Sequence, residues 1–145
     1  MLLVPYKGSS AAHPDLLAGR TALCIDTISA ILPQVKAGNA RAVAVSTRKR
    51  TRSLPDVPTA DEQGLKGYDA NTNGEFLAPA GTPKAIIARL NAEINAALNL
   101  PDVRAKMEAA GIEIQGGTPQ AYAALIRSDL VKWGGVVKEA GIQPE

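Results

Sequence analysis

Apolar runs and amphipathic segments alternate along the first third of the chain. The apolar runs 2–6, 22–25 and 42–46 are each bounded by turn residues and predict buried strands. Between the runs, apolar residues at helical spacing predict two helices, the first ending at Gly19 and the second near Gly38. Strands that alternate with helices through short connections predict an α/β fold with a parallel sheet, since each crossover needs a helix.

The second half of the chain is predicted to be mainly helical. Thr82-Pro83 and Thr118-Pro119 each place a capping hydroxyl before a proline, which is typical of a helix start. The two helices that follow carry apolar stripes, formed by Ile86, Ile87, Leu90, Ile94 and Leu98 and by Tyr122, Ile126, Leu130, Trp133 and Val137. A shorter helix over 101–110 and a brief strand over 112–114 cannot cover both stripes. We therefore expect the stripes to be partly exposed or to drive self-association.

The middle of the chain is polar and marked by prolines. The segment 48–58 predicts a surface loop, and Thr59 with Glu62 fits a capping box at the start of a short helix that ends at Gly64. The polar stretch 68–75 that follows is the predicted boundary between two lobes.

Composition excludes several classes of protein. The net charge is only +2 over 145 residues, so no overall field favours nucleic acid, and no apolar run is long enough to span a bilayer. The basic segment 48–52 lacks interleaved aromatic residues and predicts a solvated loop. Cys24 and His13 are the only cysteine and histidine, so neither a disulfide within the chain nor a structural zinc site is expected.

Catalysis is not predicted either. A catalytic pair of His13 with Ser9, Ser10 or Cys24 is one alternative, but no motif of a hydrolase surrounds these residues. An exposed histidine at a helix start is the simpler interpretation. Cys24 is flanked by Leu23 and Ile25 and is interpreted as a buried apolar residue. We expect neither an enzyme nor a cofactor.

Two strand-to-helix turns are the candidate ligand site. In a parallel α/β sheet, helix starts beyond the strand ends present free amides to an anion. The residues of these turns are Gly8, Ser9, Ser10 and Ala11 in the first and Asp26 and Thr27 in the second. Gly8 permits close backbone approach, the hydroxyls can donate, and Asp26 can accept from a ligand or orient its neighbours. Ordinary helix capping uses the same residue types, so both interpretations stay open at this point.

Several segments occur in the order and spacing of one known family. They are Val4-Pro5-Tyr6-Lys7-Gly8, Asp15-Leu16-Leu17-Ala18-Gly19, Ile25-Asp26, Leu54-Pro55-Asp56-Val57-Pro58-Thr59, Leu77-Ala78-Pro79-Ala80-Gly81-Thr82-Pro83, Leu90-Asn91, Trp133 and Ala140-Gly141-Ile142. The chain resembles the substrate-binding proteins of tripartite tricarboxylate transporters, the Bug family, over essentially its whole length.

The resemblance implies a periplasmic-binding-protein-like fold of type II and binding without turnover. Such proteins close two lobes on a small carboxylate and deliver it to a membrane permease. Residues 1–72 would form an incomplete parallel-sheet lobe that lines the cleft, and 73–145 a mainly helical return segment of the other lobe. The implied ligand-binding residues are those of the two turns together with Tyr6 of the matching motif.

The resemblance also implies that relatives are about twice as long, with a signal peptide and the first lobe upstream. We therefore expect a truncated carboxyl-terminal part, periplasmic in the full-length form and cytoplasmic if expressed as written. Asn73, Gly74 and Glu75 stand where the family usually has an aromatic pair and a glycine, and Glu75 would repel an anion if it faced the cleft. The alternative is a stand-alone cytosolic interaction module, dimeric and without transport function.

Overall fold

A computed structural model describes residues 2–143 of the chain. Five α-helices lie within that range: α1, Ser9–Leu17; α2, Ile28–Lys36; α3, Lys84–Leu98; α4, Pro101–Ala109; and α5, Pro119–Glu139. The sequence predicted each of them, and the predicted ends at Gly19 and Gly38 are confirmed by glycines with positive φ just past α1 and α2. None of the helices in the described residues is long and apolar enough to cross a membrane.

The predicted parallel sheet is not formed within residues 2–143, which contain no strand. In this described range, one isolated parallel bridge is present and joins Val45 to Thr59. It is made by the Val45 amide, which donates to the Pro58 carbonyl at 2.9 Å, and by the Ala60 amide, which donates to the Val45 carbonyl at 2.9 Å. A strand exists only where a neighbour completes its ladder, and the apolar runs 2–6 and 22–25 do not pair with one another.

The first compact unit runs to Phe76 and includes Pro101–Ile114. Its buried apolar side chains are few: Leu32, which is 2% exposed, Val45 and Ala60. The capping box is present, since the Thr59 amide donates to Glu62 Oε2 at 2.7 Å and the Glu62 amide donates to Thr59 Oγ1 at 3.0 Å. The residues after Thr59 form turns rather than the predicted short helix. The capping box therefore stabilises a single turn, 59–62, next to the bridge with Val45.

The return of Pro101–Ile114 to the first unit was not predicted. Gly111 lies against α2 so closely that a Cβ there would come within 2.9 Å of Ile28 Cγ2 and 3.0 Å of Leu32 Cδ2. The Arg52 amide donates to Glu113 Oε1 at 2.9 Å, which ties the same segment to the loop after Val45. The predicted lobes 1–72 and 73–145 concern the two-lobed fold of the family and stay a prediction.

The second unit comprises Leu77–Leu100 and the chain from Gln115 onward. Thr118 caps α5 as predicted, accepting from the Ala121 amide at 3.2 Å. Thr82 does not cap α3, because its hydroxyl donates to the Pro79 carbonyl and α3 begins at Lys84. Asn95 holds the loop before α5 on α3, accepting from the Gly117 amide and donating to the Gly117 carbonyl, both at 2.9 Å.

The apolar stripes of α3 and α5 are partly exposed, as expected. Leu130 on α5 is 69% exposed, and the exposed set also includes Ile86, Leu90, Ile126, Trp133 and Val137. An apolar helix face that nothing covers contributes little burial energy to the fold. Such a face is typical of a surface that another structural element or a partner covers.

The close approach of Gly111 to α2 predicts a large cost for a side chain there. We expect Gly111→Ala to lower the free energy of unfolding by about 1–2 kcal/mol for the left-handed backbone and by a further ~1–3 kcal/mol for the crowding against Ile28 and Leu32. Gly38→Ala is the matched control, because Gly38 has the same φ of 75° and no atom within 4 Å of the added Cβ. Urea denaturation measures both, and equal losses would contradict the proposed crowding.

Candidate functional site

Neither of the first two helices is capped by a side chain. The N-cap of α1 is Gly8, which lies at φ 116° and ψ 169°, and the N-cap of α2 is Thr27, whose hydroxyl makes no capping hydrogen bond. Helix geometry leaves the first amides of each helix without an intrahelical acceptor. These are the amides of Ser9 and Ser10 in α1 and of Ile28 and Ser29 in α2. The interpretation of these residues as ordinary helix caps is therefore wrong for both helices.

Asp26 joins the two helix starts. Its Oδ1 accepts from Ser9 Oγ, at the first residue of α1, and from the Thr27 amide, at the N-cap of α2, both at 2.7 Å. Its Oδ2 is 2.7 Å from Nε2 of His13, one turn further along α1. One carboxylate thus holds two sets of free amides side by side, on the same unit of the molecule.

The hydrogen bonds to Asp26 keep it ionised. Partial burial raises the pKa of Asp26, but the bonds from Ser9, His13 and the Thr27 amide outweigh burial, so the pKa lies below its ordinary value of 3.8. Because an ionised carboxylate only accepts, Nε2 of His13 carries the proton of the bond. The side chains of His13 and Asp26 are only 16% and 10% exposed. The expected exposed histidine is therefore a largely buried member of the cluster.

Tyr6 lies in a separate cluster. Its hydroxyl donates to Asp15 Oδ2 at 2.7 Å, and Arg20 Nη1 donates to Asp15 Oδ1 at 2.7 Å. The bond to Asp15 raises the pKa of Tyr6, and the bonds from Tyr6 and Arg20 lower the pKa of Asp15. The hydroxyl of Tyr6 thus donates its proton to Asp15 in α1.

The structure brings together Ser9, Asp26 and Thr27 of the predicted site residues, with Gly8 at the start of α1. Ser10 is exposed, and the Ala11 amide is used within the turn, where it donates to the Gly8 carbonyl at 3.1 Å. Sequence reasoning missed His13. Its signal was present, because Ser9 and His13 are four residues apart in a predicted helix and so share one face.

Other charged features of the first unit lie outside this cluster. Arg48 Nε donates to Asp69 Oδ2 at 2.9 Å and Arg50 Nε donates to Glu62 Oε2 at 3.0 Å, so two arginines of the basic segment are paired with acids. An open cavity of about 210 Å³ is lined by Arg48, Asp61, Gly67 and Tyr68, none of them a predicted ligand-binding residue. Within residues 2–143, no cluster of three or more His, Cys, Asp or Glu side chains could hold a metal ion.

The lowered pKa of Asp26 predicts a dependence of stability on acid. A carboxyl whose pKa is lower in the folded than in the unfolded chain stabilises the fold above its ordinary pKa, and this contribution is lost as pH falls through the lowered value. We expect the free energy of unfolding to fall less steeply between about pH 4 and pH 2 in Asp26→Asn than in the parent chain. Asp56→Asn, at an exposed carboxyl outside the cluster, is the control. Urea titrations across that range that superimpose for Asp26→Asn and the parent would contradict the account.

Solved structures similar to this chain include a periplasmic binding protein and two proteins with bound dicarboxylates. Rpa4515 of R. palustris, solved with adipate, matches with a TM-score of 0.87 and 38% identity over 98% of this chain and 48% of its own. The periplasmic binding protein BugD matches with a TM-score of 0.85 and 32% identity over 100% of this chain and 49% of its own. MatC of Rhodopseudomonas palustris, with bound malate, matches with a TM-score of 0.74 and 31% identity over 92% of this chain and 47% of its own. The fold is therefore that of a part of a periplasmic binding protein.

The chain belongs to the tripartite tricarboxylate transporter receptor family, whose model matches residues 1–142. A protein of the tcbD-tcbE intergenic region of Pseudomonas sp. strain P51 is 40% identical over 96% of this chain and 42% of its own length. A protein of the clcB-clcD intergenic region of Pseudomonas knackmussii is 34% identical over 94% of this chain and 82% of its own. The chain spans less than half the length of most of the relatives it matches.

Proposed function

We propose that this chain supplies one wall of the carboxylate site of a tripartite tricarboxylate transporter solute-binding protein. The observation that carries the proposal is the pair of uncapped helix starts that Asp26 holds together through Ser9 and Thr27. The amides of Ser9, Ser10, Ile28 and Ser29 are donors without intrahelical acceptors, and the positive ends of both helix dipoles lie at the same place. An anion is the ligand that such an arrangement stabilises.

A small dicarboxylate is the proposed ligand class. The similar proteins Rpa4515 and MatC were solved with adipate and malate, which share two carboxylates on a short chain. The hydroxyls of Ser10 and Thr27 are exposed and stand next to the free amides, so they add donors to one ligand carboxylate. The second carboxylate would meet the opposite lobe of a two-lobed protein.

The predicted parallel sheet belongs to the assembled binding protein in this proposal. The runs 2–6 and 22–25 place Leu2, Leu3, Leu23 and Ile25 on the surface, although their residue types suit a buried strand. We propose that strands from the rest of a full-length relative pair with these runs and that its helices cover the stripes of α3 and α5. In that setting the protein acts in the periplasm and delivers its ligand to the membrane permease of the transporter.

The test is calorimetry on a chimera in which this chain replaces the part of Rpa4515 that it matches, called here the Rpa4515 chimera. Titration with adipate, malate and succinate should give saturable heat with at least one acid. Rpa4515 itself, titrated with adipate, is the control for the host protein. No saturable heat from the chimera with any of the three acids, while Rpa4515 binds adipate, would remove the proposed function.

The exposed apolar face of α5 favours one second candidate, a dimeric interaction module. Leu130, Val131 and Val137 lie exposed along that helix, and burying such a face against a second copy would stabilise the chain by itself. Sedimentation of the isolated chain tests it: a dimer that Leu130→Glu converts to monomer would support the module. A monodisperse monomer at high concentration would exclude it.

A further inference from the structure

Asp26 is well supplied with hydrogen-bond donors from its own chain. Ser9 Oγ and the Thr27 amide both donate to Oδ1, and His13 Nε2 donates to Oδ2, each over 2.7 Å. An ionised carboxylate offers about four lone-pair sites. Three are therefore taken, and the side chain is only 10% exposed.

His13 takes one of the two lone-pair sites of Oδ2, and the one site that Asp26 has left lies beside it on the same oxygen. Ser9 and Thr27 both donate to Oδ1, and within the described residues His13 is the donor to Oδ2. A ligand that carries an ammonium group beside its carboxylate needs an anionic acceptor close to the helix starts. Asp26 is the carboxylate placed there, and the imidazole lies over the oxygen that such an ammonium group would use.

We propose that His13 is a positioning residue that sets the ligand class, because it takes one lone-pair site of Asp26 Oδ2 and holds its imidazole beside the other, and so disfavours ligands that carry an ammonium group. The site then takes dicarboxylates without an amino group in preference to amino dicarboxylates of the same skeleton. This inference rests on the proposed carboxylate-binding function. It assigns Asp26 to holding the helix starts together rather than to contact with the ligand.

Succinate and aspartate form the matched pair of ligands, since aspartate is succinate with one added amino group. We expect the Rpa4515 chimera to bind succinate at least about tenfold more tightly than aspartate, as one charge-assisted hydrogen bond is at stake. His13→Ala opens Oδ2 and should shift the ratio of the two dissociation constants toward aspartate by about tenfold. His13→Gln keeps an N–H donor at that position and should restore the preference for succinate.

A ratio that His13→Ala leaves unchanged, while succinate still binds, would overturn the role of His13 and leave the proposed function standing. Loss of binding for every acid in the unsubstituted chimera would instead remove the proposed function.

A second measurement does not depend on whether the His13→Ala variant folds. In a sample labelled with ¹⁵N-histidine only in this chain's segment, made by segmental ligation, the imidazole gives one set of signals because His13 is the only histidine here. The signals should show that Nε2 of His13 is protonated, both without ligand and with succinate bound. An imidazole protonated only at Nδ1 would overturn the inference.

Discussion

Gly8→Ala is expected to weaken binding of a dicarboxylate by the Rpa4515 chimera at least about tenfold. Gly8 lies at φ 116° and ψ 169°, a region that only glycine occupies without strain of about 1–3 kcal/mol. An alanine there relaxes by rotating the peptide that enters α1, and this turns the free amides of Ser9 and Ser10 away from the anion. The geometry of those amides is the basis of the proposed site, so the loss should fall on affinity as well as on stability.

Gly64→Ala is the matched control for Gly8→Ala. Gly64 has a φ of 106°, an added Cβ has no atom within 4 Å at either position, and Gly64 lies beyond the capping box of Thr59. Both variants should lose stability from the backbone alone, and only Gly8→Ala should lose affinity for the acid in calorimetry. If the two variants bind equally well, the start of α1 is not a ligand-binding element.

Leu32→Ala is expected to cause the largest loss of stability of any single truncation in the first unit. Leu32 is 2% exposed and packs beneath Gly111, and truncation of a buried leucine costs about 2–5 kcal/mol. The first unit buries few other apolar side chains, so few side chains near Leu32 can shift to fill the cavity that the truncation leaves. We expect the isolated chain to lose the cooperative unfolding transition of this unit, as followed by circular dichroism in urea.

Leu65→Ala makes the same chemical change at a surface position of the same unit. Leu65 is 61% exposed, and surface substitutions of this kind usually change stability by about 0.5 kcal/mol or less. A similar loss for the two variants would mean that the core does not centre on Leu32.

The helices could be predicted from the sequence because their ends are marked by local chemistry. Thr118 and Pro119 mark the start of α5, and Gly19 and Gly38 mark the ends of α1 and α2. Such signals act within one turn of chain and need no partner from elsewhere. The predicted cap at Thr82 is wrong for an equally local reason. The Thr82 hydroxyl donates to the Pro79 carbonyl, three residues earlier in the chain, and does not cap the amides of α3.

The sheet could not be predicted correctly because a strand depends on a partner that the pattern does not name. The runs 2–6 and 22–25 have the residue types of strands, yet the pairing seen in residues 2–143 is the bridge between Val45 and Thr59. That bridge joins an apolar run to a capping box, and no pattern of residues along the chain predicts that these two features pair. Where the ladder partner is absent, residue preference alone does not make a strand.

The candidate site was predicted in part for a similar reason. Asp26 and Thr27 follow directly from their position before a helix, and Ser9 from its position after Gly8. The role of His13 depends on the placement of α1 against the turn before α2, thirteen residues away along the chain. Tyr6 was assigned to the ligand through the matching motif, and the structure shows its hydroxyl bound to Asp15, which only the packing of the chain onto α1 determines.

A crystal structure of the Rpa4515 chimera with the dicarboxylate that it binds in calorimetry would test directly whether the two helix starts hold the ligand. We expect one ligand carboxylate within hydrogen-bond distance of the amides of Ser9 or Ser10 and of Ile28 or Ser29, with Asp26 still bonded to Ser9, His13 and Thr27. A ligand bound elsewhere, with both helix starts facing only water, would contradict this expectation.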